Sequence, residues 1–270
     1  MLIPLLSYLA AGALSGLLAG LFGIGGGLVA IPFLAFALPY MGFAPETVMH
    51  VAVATSLANI VVTSCVSIYA HHQRQSINWT ILKQVLLSCI IGATLGGMLV
   101  NIMPSTVLQI IFGLFVFFIA YAMLTRKKIP DDNLQLPQGL ALYLPVTGIA
   151  AFCSLLGMGG GSLMVPYLSH YGLPLRKAVG TSSACGLFIA LAGLLCLMIS
   201  TEHISLIKPW MSGYLYWPAF LCMSAGSILF TPLGAKLTHT LPVPLLKRGF
   251  ALFLIVVGIS MIYKVFLHFY

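Results

Sequence analysis

The sequence predicts an all-α integral membrane protein built from two homologous halves. Three observations indicate this fold class. Of 270 residues, 60% are hydrophobic and only 6% are charged. A glycine cluster followed by a proline occurs twice, and the basic residues lie at the ends of apolar segments. We expect 8 to 10 membrane segments, with a first membrane repeat over 1–124, a cytoplasmic linker over 125–139 and a second repeat over 140–270.

Long uncharged stretches support the membrane assignment. The mean hydropathy is +1.09, and residues 1–45, 47–73, 84–125 and 133–175 contain no Asp, Glu, Lys or Arg. A membrane span needs about 20 apolar residues, so several of these stretches hold more than one span. The N-terminus shows no basic leader and no small-residue cleavage site, which favours a first membrane segment over a removable signal peptide. We expect a multi-pass protein of the cell membrane, by default the bacterial inner membrane.

Apolar segments follow the same order in both halves. Those of the first half lie near residues 3–22, 26–40, 48–70, 80–102 and 105–124. Those of the second lie near 140–157, 161–171, 177–200, 210–238 and 244–267. The pieces 26–40 and 161–171, which follow the two glycine clusters, are short for complete spans.

Three pairs of landmarks show that the halves are related. The cluster Gly23-Ile24-Gly25-Gly26-Gly27 with Pro32 returns as Gly157-Met158-Gly159-Gly160-Gly161 with Pro166, at an offset of 134 residues. Residues 52–56 (AVATS) match 178–182 (AVGTS) at an offset of 126, and Gly96 and Pro104 match Gly234 and Pro242 at an offset of 138. Similarity in this order predicts a duplicated, transporter-like architecture.

The glycine clusters decide how the halves are oriented. An unbroken helix over residues 3–40 would be about 57 Å long, against a hydrocarbon core of about 30 Å. If each cluster is instead a turn, each half holds a helix–Gly-turn–helix hairpin plus three spanning helices, and the halves are inverted repeats. Of the 12 basic residues, 10 then lie on one side, whereas eight straight spans split them 7 to 5. The alternative is a tilted or kinked long helix in an eight-span protein.

A glycine break followed by a helix predicts an anion site. Unpaired N–H groups and the positive end of the helix dipole favour negative charge, and irregular backbone in a membrane needs a polar cavity or protein cover. Nearby hydroxyls add neutral donors. The alternatives are close helix packing, to which we assign the spacings Gly16xxxGly20 and Gly92xxxGly96, and hydroxyl bonding within a helix. The candidate substrate-binding residues are Gly25, Gly26, Gly27, Thr55, Ser56, Asn59, Gly159, Gly160, Gly161, Thr181, Ser182 and Ser183.

Titratable residues are few. Glu46 and His50 lie four residues apart and form a tentative proton-coupling pair, the alternative being an ion pair at the interface. The histidines and the six cysteines show no metal-site spacing, and we expect no metal and no cofactor. The formal net charge of +8 is explained by membrane anchoring, so nucleic acid is not an expected partner. No catalytic triad or carboxylate pair appears in the apolar regions, so we do not expect an enzyme.

The glycine clusters, the Ala-Thr-Ser stretch at 54–56 and their echoes in the second half resemble the sulfite exporter TauE/SafE family of membrane permeases. The resemblance covers essentially the full chain and implies transport of small sulfur-containing anions such as sulfite, sulfoacetate or other organosulfonates. We therefore expect a secondary transporter, by default an exporter, that works by alternating access at a central site. The alternatives are a passive small-anion channel and an importer of another oxyanion. Cys185 stands where the first half has Asn59, so the two half-sites are expected to be unequal.

Overall fold

A computed structural model describes residues 2–22, 26–125, 136–199, 210–237 and 243–269 of the chain. These residues form ten helices and one small antiparallel hairpin. The helices are α1 (Leu2–Phe22), α2 (Gly27–Tyr40), α3 (Pro45–Gln73), α4 (Trp79–Ile102), α5 (Ser105–Thr125), α6 (Leu140–Leu155), α7 (Gly161–His170), α8 (Leu175–Ile199), α9 (Trp217–Leu237) and α10 (Val243–Phe269). The strands are β1 (Met211–Ser212) and β2 (Leu215–Tyr216). The described part of the chain is therefore all-α apart from four strand residues, as the sequence predicts.

The predicted segments match the ten helices except at the start of α9. The sequence places an apolar segment from residue 210, but the helix begins at Trp217. Gly213 occupies the first position of the two-residue turn between the strands, with φ of 59°. A positive φ at this position is the geometry of a tight hairpin turn, which glycine adopts without strain. The apolar composition of the strands conceals this short hairpin.

Six helices in the described part of the chain are long and apolar enough to cross a membrane. They cover Pro4–Leu21, Pro45–Gln73, Trp79–Ile102, Ser105–Ala122, Arg176–Ile199 and Trp217–Gly234. Three shorter apolar helical stretches cover Gly27–Tyr40, Leu140–Leu155 and Ala251–Tyr263. Large apolar side chains such as Leu87 and Phe118 are exposed on the outside of the bundle, as expected for contact with lipid. The chain is an integral membrane protein.

The chain turns back between α1 and α2, and we call residues 23–26, which join these helices, the first glycine break. The rings of Tyr8 in α1 and Phe33 in α2 are 6.0 Å apart between centroids, although a straight helix would separate residues 25 positions apart by about 37 Å. Gly26 has φ of 74° and caps α2. The second glycine break, residues 156–160, separates α6 from α7 and holds Gly157 with φ of 59°. Both glycines adopt a conformation that other residues rarely take.

Small residues bring helices of different halves into close contact. In α1, Gly12 and Gly16 lie against the backbones of Met223 and Ser227 in α9. In α4, Gly92 and Gly96 lie equally close to backbone carbonyls of α6. A side chain at these glycines would collide with the neighbouring helix, which is typical of membrane helix interfaces. The packing role predicted for Gly16, Gly92 and Gly96 is confirmed.

The helix directions follow from paired contacts. Helices α3 and α8 run antiparallel, because Ser67 contacts Ser183 whereas Leu57, earlier in α3, contacts Gly193, later in α8. Helices α5 and α10 are also antiparallel, since Gln109 Nε2 donates to the Met261 carbonyl and Phe117 contacts Gly258.

Helices α3 and α9 run parallel, because Thr55 contacts Tyr216 and Asn59 contacts Ser227 further along both segments. Helices α4 and α8 are parallel in the same way, since Asn78, just before α4, contacts Thr181, and Gly97 contacts Cys196. These contacts define one arrangement in which each half packs against the other through equivalent helices.

Candidate functional site

The start of α2, directly after the first glycine break, meets the second break inside the bundle. A Cβ on Gly27 would lie 2.6 Å from the Gly157 carbonyl oxygen and 3.0 Å from the Met158 Cα. The Ser56 hydroxyl, from α3, donates to the same Gly157 carbonyl at 2.8 Å. Only glycine permits this approach of one break to the other. Gly25, which belongs to the predicted site, lies outside the described residues.

A small cavity lined by hydroxyl residues and glycines lies beside the second break. The space open to the centre of a water molecule is about 10 Å³, close to the room needed for one water. We call it the hydroxyl cavity, and its lining residues carry no charge. They are Ala19, Thr63, Ser64, Ser67, Gly159, Gly160, Gly161, Ser182, Ser183 and Gly186. Five of the ten carry hydroxyl groups, and four are glycines.

The cavity wall offers hydrogen-bond donors. Helix α7 begins at Gly161, so the N–H groups of its first turn have no partner within the helix. Ser182 and Ser183 donate to the Val179 carbonyl at 3.2 and 2.9 Å, and Ser67 donates to the Ser183 oxygen at 3.2 Å. Hydroxyl groups can rotate to donate to a ligand instead. The wall therefore combines neutral donors with a helix N-terminus, which together suit a small anion.

Thr55 and Thr181 form hydrogen bonds with the segments that precede α9 and α4. The Thr55 oxygen accepts a hydrogen bond from the Tyr216 N–H at 3.3 Å, and the Thr181 oxygen accepts one from the Asn78 N–H at 2.9 Å. The two bonds are equivalent, since Thr55 matches Thr181 at the offset of 126 and Asn78 matches Tyr216 at the offset of 138. Each threonine fastens the segment that enters α9 or α4. Neither lines the hydroxyl cavity.

Asn59 is fully buried and lies in a separate hydrogen-bond network. Its Nδ2 donates to Ser15 Oγ at 3.4 Å, and its Oδ1 accepts from Ser227 and Ser224 at 3.2 and 3.4 Å. The amide thus has partners on both sides, in α1 and in α9. Asn59 is absent from the cavity wall.

Within the part of the chain that the structure describes, Glu46 and His50 do not form an ion pair. Glu46 is exposed in the first turn of α3. His50 is only 6% exposed, with its ring stacked on Tyr214 at 5.0 Å between centroids. Its Nε2 lies 3.1 Å from the Met103 carbonyl oxygen, while its Nδ1 is buried without a partner. The histidine therefore faces the α4–α5 turn and the hairpin.

The structure brings together one part of the predicted site. Gly159, Gly160, Gly161, Ser182 and Ser183 share the cavity wall. Gly26, Gly27, Thr55, Ser56, Asn59 and Thr181 lie outside that wall. Within the described residues, no group of three or more His, Cys, Asp or Glu side chains could hold a metal ion.

Besides Ala19 and Gly186, sequence analysis missed three hydroxyl residues of the cavity wall, Thr63, Ser64 and Ser67. They lie two to three turns after Thr55 on α3 and face the second half of the chain. The signal was the run of hydroxyl residues within an apolar helix, where polar groups are costly unless they pair or line a cavity.

The comparisons with known proteins agree on a membrane transporter. The chain matches the family described as sulfite exporter TauE/SafE over residues 8–261. It is 35% identical over 253 residues to a probable membrane transporter protein of Haemophilus influenzae, covering 94% of this chain and 96% of that protein. It is 30% identical over 268 residues to a probable membrane transporter protein of Methanocaldococcus jannaschii, covering 97% and 96% of the two chains.

A probable membrane transporter protein of Bacillus subtilis, YunE, is 24% identical over 275 residues, covering 94% of this chain and 95% of its own. No solved structure matches the chain. These relatives are described as probable membrane transporters, and their alignments with this chain cover nearly the full length of both proteins. The expectation of a multi-pass membrane transporter and not an enzyme is confirmed. With a family match that spans 8–261, the chain belongs to the sulfite exporter TauE/SafE family.

Proposed function

We propose that the protein is a secondary transporter that exports small sulfur-containing anions such as sulfite, sulfoacetate or other organosulfonates. The observation that carries the proposal is the hydroxyl cavity at the second glycine break. Its donors are hydroxyl groups and the N-terminus of α7, with no charged side chain in the wall. Neutral donors hold an anion without trapping it, which favours release on the other side of the membrane.

The proposed site is not symmetric between the halves. It consists of Gly159, Gly160, Gly161, Ser182 and Ser183 from the second half and Thr63, Ser64 and Ser67 from α3 of the first. At the equivalent place in the first half, Ile60 takes the position of Gly186, at the offset of 126, and contacts Gly27. A glycine leaves room for a ligand where isoleucine fills the space.

Transport by alternating access fits the arrangement of the helices. We propose that the halves are inverted repeats, since antiparallel contacts of α3 with α8 and of α5 with α10 are those expected of equivalent helices in halves of opposite orientation. Rocking of one half against the other would expose the cavity to each side in turn.

The size of the cavity supports a conformational change during transport. Space for about one water molecule is too little for sulfite, which has four non-hydrogen atoms. The conformation described is then a closed one, and the site must open to admit an anion. A closed site opened by a packing change is the expected behaviour of a carrier.

Flux measurements test the proposal. Purified protein in proteoliposomes is given sulfite, thiosulfate, sulfoacetate or taurine, with and without a pH gradient. We expect saturable flux of at least one sulfur-containing anion. Ser183→Ala should raise KM several-fold, because a donor is lost from the wall. Thr94→Ala is the matched control, since the Thr94 hydroxyl donates only to the Ile90 carbonyl of its own helix, at 2.9 Å.

Two outcomes would contradict the proposal. Absence of flux for all sulfur anions would remove the substrate class. Flux that follows the membrane potential without saturation would indicate a passive channel instead. The pH-gradient arm also tests proton coupling by Glu46 and His50, which predicts that His50→Ala and Glu46→Gln remove the effect of the gradient.

A further inference from the structure

The two glycine breaks have different surroundings. At the first break, a Cβ on Gly26 would collide with the Ser15 hydroxyl. At the second, a Cβ on Gly160 would meet the tip of the Ile189 side chain at 3.0 Å and the Gly186 backbone only beyond 3.6 Å. Gly160 also lines the hydroxyl cavity. Gly26 is thus enclosed by protein, whereas Gly160 borders the hydroxyl cavity.

A hydrogen-bond network holds the first break. The Ser15 hydroxyl, from α1, donates to the Gly26 carbonyl at 3.0 Å. Asn59 Nδ2 donates to the Ser15 oxygen at 3.4 Å, and Asn59 Oδ1 accepts from Ser224 and Ser227 of α9. All four side chains are buried, with Asn59, Ser15 and Ser227 at 0% exposure. The carbonyl at the first break is therefore connected, through one amide, to three helices.

The matching positions of the second half hold no amide and no hydroxyl side chain. The repeat offsets place Cys185 at the position of Asn59, Cys89 at that of Ser227 and Ile149 at that of Ser15. The Cys89 and Cys185 thiols contact each other, so the geometry of the helix pair is preserved. Thiols are weak donors and isoleucine has none. The amide-centred bonds exist in one half only.

We propose that the breaks have divided roles: the network of Asn59, Ser15, Ser224 and Ser227 fixes the first break as part of the scaffold, and the second break alone forms the anion site. Asn59 is then a positioning residue and not a ligand of the anion. An amide suits this role because it donates and accepts at once, and so satisfies hydroxyls on two helices in a site without water. The inference rests on the proposed anion site for the second break.

Hydrogen exchange and transport kinetics together test whether the two glycine breaks have different roles. The variants are Asn59→Ala and Ser15→Ala, with Thr94→Ala as the matched control outside the network. We expect amide exchange in a peptide covering residues 20–30 to become at least tenfold faster in both network variants. Exchange in a peptide covering 155–165 should stay within twofold of the parent protein. KM for sulfite should also stay within twofold, while the maximal rate falls.

A double variant sharpens the test. Because both residues act through one bond to Gly26, Asn59→Ala combined with Ser15→Ala should accelerate exchange no more than Ser15→Ala alone, within twofold. If Asn59→Ala does not fold, Ser15→Ala and Ser224→Ala, each of which removes one hydroxyl of the network, carry the same comparison.

Three results would overturn the inference. Unchanged exchange with a tenfold rise in KM for sulfite would make Asn59 a ligand of the anion. Equal acceleration at both breaks would mean that the network stabilises the whole bundle. A first-break peptide that gains protection on adding sulfite, without any change at the second, would reverse the assignment. If the parent protein moves none of the sulfur-containing anions, the proposed function fails, but exchange in the network variants still decides whether Asn59 and Ser15 fix the first break.

Discussion

At the residue scale, Ser56 forms a direct link between the two halves. Its hydroxyl donates to the Gly157 carbonyl at 2.8 Å, and both atoms are buried. Ser56→Ala would leave that carbonyl without its side-chain partner in a site closed to water, so the free energy of unfolding should fall by about 1–3 kcal/mol. The measurement is unfolding of the purified protein in detergent.

Ser260→Ala is the matched control for this variant. The Ser260 hydroxyl donates only to the Val257 carbonyl of its own helix, at 2.8 Å, so its loss should change the free energy of unfolding by less than about 0.5 kcal/mol. Equal losses for Ser56→Ala and Ser260→Ala would contradict a bridging role for Ser56.

Single residues also show what sequence alone can predict at the site. The glycines that must adopt positive φ, such as Gly26 and Gly157, are visible as a repeated cluster. The partners of a hydroxyl are not visible, because they lie in other helices: Ser56 bonds to a residue 101 positions away. The partners of Asn59 in α1 and α9 are not visible for the same reason, since its position on a polar helix stripe does not reveal which helix faces it.

At the element scale, equivalent threonines fasten the segments that enter α9 and α4. Thr55→Val should free the Tyr216 N–H and accelerate amide exchange in residues 211–216, while residues 74–80 stay unchanged. Thr181→Val should do the reverse, since its oxygen accepts from the Asn78 N–H. Valine keeps the shape of threonine but cannot accept a hydrogen bond. The measurement is hydrogen exchange of the two variants, each of which serves as the control for the other. Acceleration of both segments in both variants would contradict the separate roles of the two threonines.

Helix existence was more predictable than helix pairing. Ten apolar segments bounded by Gly, Pro and polar connections give the ten helices, because hydrophobicity over about 20 residues is a strong signal. The hairpin at 211–216 was missed, because its uncharged, largely apolar strand residues resemble the start of a membrane helix. Pairing of α1 with α9 and of α4 with α6 depends on tertiary packing, although Gly16, Gly92 and Gly96 indicate which faces pack closely.

At the scale of the whole molecule, the orientation of the halves has a direct test. In inverted repeats the ends of α3 and α7 lie on one side of the membrane, and the start of the β1–β2 hairpin lies on the other. An eight-span protein with straight first helices would place the end of α7 opposite the end of α3. Exposed residues mark the three positions: Gln73 at the end of α3, His170 at the end of α7 and Trp210 before the hairpin.

Single cysteines at these positions, in a chain whose own six cysteines are replaced by serine or alanine, are labelled with an impermeant maleimide in intact cells. We expect Gln73→Cys and His170→Cys to be protected from outside, because the basic residues concentrate on the cytoplasmic side, and Trp210→Cys to react. All three should react after the membrane is opened. If Gln73→Cys and Trp210→Cys react alike, the two halves have the same orientation in the membrane. Alternating access could then not arise from inverted repeats that exchange their conformations, and a different motion would be required.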